Sequence, residues 1–210
     1  MVNLQELANL VISGKAPETK AMVQKALDEG GNVADILHKG LIAGMDVVGR
    51  KFKANEFYVP EVLIAARAMK WAMEILEPKI KAAGIKPLAA IAIGTVKGDL
   101  HDIGKNLVGM MLQGAGFQVV DLGIDVAPEK FVDAVKTKGC QIVGLSALLT
   151  TTMPQMKNVV AALKESGLKA KVMIGGAPVT QNYADEIGAD GYGPDAATAV
   201  DVAKKLIGAA

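Results

Sequence analysis

The spacing of apolar residues changes near residue 82, and this change constrains the fold more than any other feature. Before it, apolar residues recur with the period of an amphipathic α-helix. After it, short apolar runs alternate with helical patterns, which is typical of a parallel β-sheet with crossover helices. The sequence therefore predicts a helical domain over 1–82, a linker over 83–87 and an α/β domain over 88–210.

The front part contains four helical patterns joined by short connections, which predict a small four-helix bundle. Pro17 and Pro60 stand where the second and fourth helices begin, and Gly30 stands where the second ends. Pro78 is expected to end the fourth helix. The predicted helices cover residues 4–11, 17–30, 41–52 and 60–77.

The second part contains five apolar runs separated by helical patterns. The predicted strands cover residues 88–94, 118–122, 142–146, 171–174 and a short stretch near 191. Right-handed crossovers between such strands produce a doubly wound, Rossmann-type parallel sheet, and the flavodoxin-like order 2-1-3-4-5 places strands one and three side by side. Ligands of such sheets bind beyond the carboxyl ends of the strands, so the residues that follow each strand are the candidate site.

Charge and cysteine content exclude several classes of function. The chain has 23 Lys and Arg against 22 Asp and Glu, so it has no excess positive charge for a nucleic-acid backbone. A single cysteine, Cys140, excludes an internal disulfide and any multi-cysteine metal site. The N-terminal segment lacks the apolar core of a secretory signal, and no apolar run approaches the ~20 residues of a membrane helix. We expect a cytoplasmic protein that binds neither nucleic acid nor membrane.

Three side chains at the ends of strands one and three form the main candidate constellation. Asp99 and His101 follow the first strand, and Ser146 ends the third. A carboxylate that accepts the proton on one imidazole nitrogen leaves the other nitrogen free to bind a metal, and a hydroxyl can hold that carboxylate. His101 alone could equally be a general base or a helix-start residue, and a tight turn would explain Gly175 and Gly176. These residues alone do not identify the ligand.

In combination, the motifs resemble those of cobalamin-binding domains. The run from Asp99 to Gly104 resembles the D-x-H-x-x-G signature of that family, with Ser146-Ala147-Leu148 as S-x-L and Gly175-Gly176 as G-G. The chain has 41 residues between Gly104 and Ser146 and 26 between Leu148 and Gly175, which is similar to the family spacing. Residues 44–69, including Tyr58, resemble the helical cap of corrinoid methyltransferases.

The resemblance implies that a cobalamin or related corrinoid binds base-off and His-on, with His101 as the lower ligand of cobalt. Asp99 would hydrogen-bond His101, and Ser146 would be the third member of this set. Tyr58 would shield the upper face as part of a movable cap. The further cofactor-binding residues implied by the motifs, or inferred from the strand ends, are Gly98, Leu100, Asp102, Ile103, Gly104, Leu148, Thr150, Gly175, Gly176, Gly193 and Asp195.

The function implied is that of a methyl carrier in a multi-component methyltransferase system. Such a carrier accepts a methyl group on cobalt(I) from a substrate-specific methyltransferase and gives it to a second, acceptor methyltransferase. A reductive activation protein is a further possible partner. No substrate barrel is visible, so the chain is not expected to be a complete catalyst alone. The alternatives are a cobalamin-dependent sensor and the small subunit of a cobalamin-dependent mutase.

Overall fold

The computed structural model describes residues 2–209 of the chain. The chain divides into two compact units. One comprises the residues up to Pro87 together with Gly114–Gly116, and the other comprises the remaining residues from Leu88 onward. The first unit is helical, and the second contains the β-sheet.

The helical unit follows the predicted sequence of amphipathic helices. Its elements are α1 (Leu4–Ile12), α2 (Ala16–Asp28), the short α3 (Val33–Asp35), a π-helical segment (Ile36–Ile42), α4 (Ala43–Lys53) and α5 (Val59–Ala82). Asn3 caps α1 by accepting hydrogen bonds from the backbone N–H groups of Gln5 and Glu6. Leu7 and Val11 lie on the buried face of α1, in agreement with the sequence pattern.

Two helices of this unit differ from the prediction. The third predicted helix begins earlier, because α3 and the π-helical segment lead into α4 without a break. The π-helical segment buries five of its seven residues, which a regular helical period does not predict. The prediction that the fourth helix ends before Pro78 was wrong, because α5 continues through Pro78 to Ala82. Pro78 is exposed, so its ring meets no packed core there.

The second unit is built on a five-stranded parallel sheet in the part of the chain that the structure describes. Its strands are β1 (Ala90–Thr95), β2 (Gln118–Asp121), β3 (Ile142–Ser146), β4 (Lys171–Gly175) and β5 (Gly191–Tyr192). The order β2-β1-β3-β4-β5 confirms the flavodoxin-like prediction. In this order β1 and β3 are direct neighbours, and Thr95 is paired with Ser146 at their carboxyl ends.

Helices connect the successive strands and cover the sheet. They are α6 (Ile103–Gly114), α7 (Pro128–Lys138), α8 (Pro154–Glu165), α9 (Gln181–Ile187) and α10 (Ala196–Leu206). The fully buried Phe131 and Met156 pack with Val143 and Ile174 of the strands in one apolar cluster. This packing holds the strand ends in fixed positions. Among residues 2–209, no helix combines the length and apolarity that crossing a membrane requires.

Candidate functional site

The loop between β1 and α6 carries His101 and is fixed by its own backbone. The Asp99 N–H donates to the Val96 carbonyl over 3.1 Å, and the Thr95 hydroxyl donates to the His101 carbonyl over 2.8 Å. The His101 N–H donates to Asp99 Oδ1 over 3.1 Å. These bonds close a tight loop at the carboxyl end of β1, where ligands of this class of sheet bind.

The imidazole of His101 is oriented by Asp99. Nδ1 of His101 lies 2.7 Å from Oδ1 of Asp99, while the His101 side chain is 50% exposed. A carboxylate oxygen at this distance favours a proton on Nδ1. Nε2 of the neutral ring then carries the lone pair, which is the donor that a metal ion needs.

The second oxygen of Asp99 is bound by the segment that follows β3. Asp99 Oδ2 accepts from the Thr152 hydroxyl over 2.7 Å, from the Leu148 N–H over 2.8 Å and from the Leu149 N–H over 3.3 Å. Asp99 is fully buried and Thr152 is nearly so. The carboxylate therefore joins the β1 loop to the turn after β3.

These contacts determine the charge of Asp99. Burial alone would raise its pKa, but hydrogen bonds from the side chains of Thr152 and His101 and from the backbone of Leu148 and His101 outweigh it. The pKa of Asp99 is therefore held well below its ordinary value. Asp99 is an anion at neutral pH, and it can hold the Nδ1 proton of His101 without taking it.

The predicted contact between Ser146 and Asp99 is replaced by one from Thr152. No hydrogen bond joins Ser146 to Asp99 in residues 2–209, whereas the Thr152 hydroxyl donates to Asp99 directly. Ser146 is the last residue of β3 and is paired with Thr95, whereas Thr152 lies in the turn that follows the strand. The sequence has three consecutive threonines in this turn, Thr150, Thr151 and Thr152. Their hydroxyls were a signal for a contact with Asp99, but the sequence does not show which one makes it.

A second support for the loop was not predicted. The carboxylate of Asp125, in the connection between β2 and α7, accepts from the Gly98 N–H over 2.7 Å. The Asp125 N–H donates in turn to the Asp99 carbonyl over 3.0 Å. Asp125 adopts a left-handed backbone with φ 53°, which is unusual outside glycine. Its place between two predicted elements gave only a weak signal for such a role.

Around His101 lies a set of exposed apolar side chains, which we call the apolar rim. It consists of Leu100, Ile103, Leu148 and Leu149. Ile103 is 80% exposed and Leu100 is 66% exposed, values that are unusual for large apolar residues unless a ligand or partner covers them. A Cβ on Gly104 would meet no atom within 4 Å, so the space in front of it is open. The residues beside His101 thus fit a broad, largely apolar ligand.

At three further predicted positions, Gly175, Gly176 and Asp195, contacts within the fold already account for the residue type. A Cβ on Gly176 would lie 1.9 Å from the Ala147 carbonyl oxygen, and one on Gly175 would lie 2.9 Å from the Gly193 oxygen. The Asp195 carboxylate caps α10 by accepting from the backbone N–H and the hydroxyl of Thr198. These contacts explain the residue types, so a role in cofactor binding at these positions stays a prediction.

The other candidates lie as follows. Asp102 is exposed and accepts from the Asn106 side chain over 3.0 Å. Thr150 is exposed in the turn after β3. Tyr58 belongs to the helical unit, where it precedes α5 and is 62% exposed. For these three residues, contact with a cofactor remains a prediction.

The donor set suits a metal that brings most of its own ligands. No group of three or more His, Cys, Asp or Glu side chains placed to hold a metal ion occurs between residues 2 and 209. A corrinoid would supply most of the ligands of its cobalt from its own ring, so that one imidazole from the protein would be enough to bind it. His101, with Nε2 free and an anionic partner on Nδ1, fits that role.

Comparison with known families assigns both halves of the chain. Two family models, each described as a B12 binding domain, match residues 89–201 and residues 4–77. The first covers the sheet and the candidate site, and the second covers most of the helical unit.

Similar proteins and structures lead to the same family. A corrinoid protein of Desulfitobacterium hafniense is 43% identical over 98% of this chain and 97% of its own length. A dimethylamine corrinoid protein of Methanosarcina acetivorans is 46% identical, with 97% and 95% covered. The structure of the methanol:cobalamin methyltransferase complex of Methanosarcina barkeri contains a chain that matches with a TM-score of 0.87 at 31% identity, covering 99% of this chain and 80% of that one. The chain belongs to the family of corrinoid proteins with a B12 binding domain.

Proposed function

We propose that this protein carries a methyl group on the cobalt of a corrinoid bound beside His101, as a component of a methyltransferase system. The observation that supports this most directly is the His101 imidazole, which is half exposed and held on Nδ1 by a buried, anionic Asp99. The similar proteins include dimethylamine corrinoid proteins and a chain of a methanol:cobalamin methyltransferase complex. A bound corrinoid would supply a cobalt atom that gains and loses methyl groups.

The chain itself supplies and holds the axial donor. His101 would offer the Nε2 lone pair, while Asp99 keeps the proton on Nδ1 and so makes the imidazole a better electron donor. Thr152 and the Leu148 N–H keep Asp99 ionised and prevent it from turning away. The loop and Asp99 thereby hold the imidazole in one orientation, with Nε2 as the nitrogen that could bind a metal.

The partners follow from the carrier role. A substrate-specific methyltransferase would deliver the methyl group, and methylamines or methanol are the first donors to test because the similar proteins are named for them. A second methyltransferase would receive the methyl group, and a reductive activation protein would restore an over-oxidised cofactor. Each partner would have to reach the cofactor bound beside His101.

The axial role of His101 is tested by its replacement. In His101→Ala we expect the protein to retain some cobalamin through the rest of its site and to show a visible absorption spectrum of cobalamin without histidine ligation. His38→Ala is the matched control, because His38 is the other histidine of the chain and is exposed in the π-helical segment. An unchanged spectrum in His101→Ala, with cofactor bound, contradicts the proposal.

A second measurement identifies the axial nitrogen. With cobalamin reduced to its paramagnetic cobalt(II) form, axial nitrogen splits the electron paramagnetic resonance lines into triplets. Protein labelled with ¹⁵N in histidine should give doublets instead. Triplets that persist in labelled protein would show that the cofactor's own base remains on cobalt.

A further inference from the structure

An ion pair with a buried cation lies next to the His101 loop. Lys105, in the first turn of α6, places Nζ 2.6 Å and 2.7 Å from the two carboxylate oxygens of Asp121, and 2.8 Å from Oδ1 of Asn106. The Lys105 side chain is only 3% exposed, whereas Asp121 remains 49% exposed. The ammonium group therefore has all of its protons directed at named acceptors.

The position of this cation is unfavourable for helix stability. The N-terminal end of a helix carries a partial positive charge, so a lysine in the first turn is repelled there. Burying an ammonium group adds a desolvation cost that its partner recovers only in part. An apolar side chain would fill the same volume without either cost. The pair therefore contributes more clearly to the positions of the two segments it joins than to the stability of the helix.

The ion pair joins two segments that both contact the His101 loop. Asp121 ends β2, and its Oδ1 also accepts from the Gly123 N–H over 2.9 Å. The Gly123 carbonyl accepts from the Thr95 N–H over 3.0 Å, at the point where the loop begins. Two residues further on, Asp125 holds Gly98 and Asp99 through the two bonds described above. Lys105 itself lies four residues after His101.

We propose that Lys105 and Asp121 form a clamp that positions His101 for its cofactor. The clamp ties the start of α6 to residues 121–125, and these residues hold the other end of the loop through Gly98 and Asp99. His101 lies between the two attachment points. The inference rests on the proposed function, and it makes Lys105 and Asp121 positioning residues that act through the loop without touching the cobalt.

The clamp is tested first without cofactor. Lys105→Met removes the cation and keeps an unbranched side chain that is one atom shorter, and Asp121→Asn removes the partner charge. We expect amide hydrogen exchange at Gly98 and Asp125 to accelerate about tenfold or more in both variants, the change that loss of a charged hydrogen bond produces. Because the two residues act as one unit, the double variant should add little to either single one.

The control removes an ion pair of similar length elsewhere, whose lysine is 54% exposed. Lys171 Nζ lies 2.7 Å from Asp190, at the amino end of β4 and therefore at the opposite edge of the sheet. Lys171→Met should leave exchange at Gly98 and Asp125 within about threefold of the wild type. Thermal unfolding of all variants separates a local effect on the loop from a general loss of stability.

The second test adds cobalamin. We expect Lys105→Met to bind cobalamin but to lower the ratio of histidine-ligated to unligated cofactor about tenfold, as read from the visible spectrum and the nitrogen splitting, whereas Lys171→Met keeps the wild-type ratio. If the wild type shows histidine ligation, and Lys105→Met shows the same ratio of ligated to unligated cofactor and the same amide hydrogen exchange, the clamp is overturned while the proposed function stands. If the wild type itself lacks histidine ligation, the proposed function fails instead.

Discussion

The Asp99 carboxylate accepts hydrogen bonds from five donors, two in its own loop and three in the segment after β3. Two carboxylate oxygens have about four lone pairs, so these donors use the group fully. A neutral side chain at this position would leave N–H groups without acceptors or would place one donor against another. Asp99 is thus needed for the loop to fold as well as for the state of His101.

This dependence predicts the effect of Asp99→Asn on stability and its pH dependence. At neutral pH the variant should lose roughly 3 kcal/mol of unfolding free energy, because buried donors lose a charged acceptor. The pKa of Asp99 is lowered in the folded protein, so its stabilisation is complete above the ordinary pKa of 3.8 and is lost as the pH falls below it.

Urea unfolding of wild type and Asp99→Asn between pH 7 and about 2.5 measures this difference. The difference in unfolding free energy between the two proteins should be constant at the higher pH values and should narrow below about pH 4. A gap that stays constant to the lowest pH would show that Asp99 is not held as an anion by its neighbours.

Thr152 and Ser146 offer a direct comparison of two hydroxyls. Thr152→Val removes the hydroxyl without changing the shape of the side chain, and we expect it to cost about 1–2 kcal/mol and to raise the pKa of Asp99. Thr152→Ser retains the hydroxyl and should keep that pKa low. Ser146→Ala should leave it unchanged.

The measurement is a carbon NMR titration of the Asp99 carboxyl group together with urea unfolding. An Asp99 pKa that responds to Ser146→Ala and not to Thr152→Val would reverse our assignment of the third group.

The residue-level contrast shows what the sequence could predict. Asp99 and His101 are two residues apart on one loop, so their contact follows from local geometry and was visible in the motif. The hydroxyl comes from a turn whose path depends on how residues after β3 pack, and a local pattern does not encode that path. The sequence motif therefore identified the pair, whereas the hydroxyl that contacts Asp99 in residues 2–209 comes from Thr152 and not from the Ser146 of the motif.

At the scale of elements, replacement of two glycines by alanine should have opposite effects on stability, because their surroundings differ. Gly176 has φ 135° and no room for a Cβ next to Ala147, so Gly176→Ala should lose roughly 3 kcal/mol or more of unfolding free energy. Gly104 lies in the first turn of α6 with open space before it, so Gly104→Ala should leave stability unchanged or raise it by up to about 1 kcal/mol.

The Gly104→Ala variant also tests the cofactor site. A methyl group on Gly104 would project into the open space beside the apolar rim, and we expect it to weaken cobalamin binding about tenfold or more. Thermal unfolding and equilibrium binding of cobalamin measure the two effects separately. Full cobalamin affinity in Gly104→Ala would show that the cofactor does not approach this face of α6.

The helix α5 gives a prediction about Pro78. Proline inside a helix removes one backbone hydrogen bond and crowds the preceding turn, yet α5 continues through it for four more residues to Ala82. Pro78→Ala should therefore raise the unfolding free energy of the helical unit by about 1 kcal/mol or more. Calorimetric unfolding checks this, and an unchanged or lower stability would indicate that the turn at Pro78 is needed.

Element boundaries were predictable where the pattern was strong. The apolar runs located all five strands to within about two residues, because each central strand is buried on both faces and reads as a continuous apolar run. The π-helical segment was missed because its wider turn changes the spacing of buried residues from the period expected of an α-helix. The end of α5 was predicted wrongly because proline terminates most helices but not every one.

For the whole molecule, cofactor binding should be visible as a gain in stability. A ligand that binds only the folded state at about 100 times its dissociation constant adds about 2.7 kcal/mol to the unfolding free energy. We expect cobalamin to raise the unfolding temperature and cobinamide, which lacks the nucleotide tail, to raise it less at equal concentration. An equal rise with both compounds would show that the nucleotide tail makes no contribution to binding.

The contact between Asp99 and Thr152 spans 53 residues of sequence, and this separation has a consequence for synthesis of the chain. A ribosome releases the histidine loop long before it releases the threonine that secures it. Until then Asp99 lacks the hydroxyl that joins its loop to the turn after β3, because a contact between residues so far apart in sequence forms only after both have been synthesised. We therefore expect nascent chains that stop short of residue 152 to fail to retain cobalamin, so cofactor loading belongs after translation of the third strand and its turn.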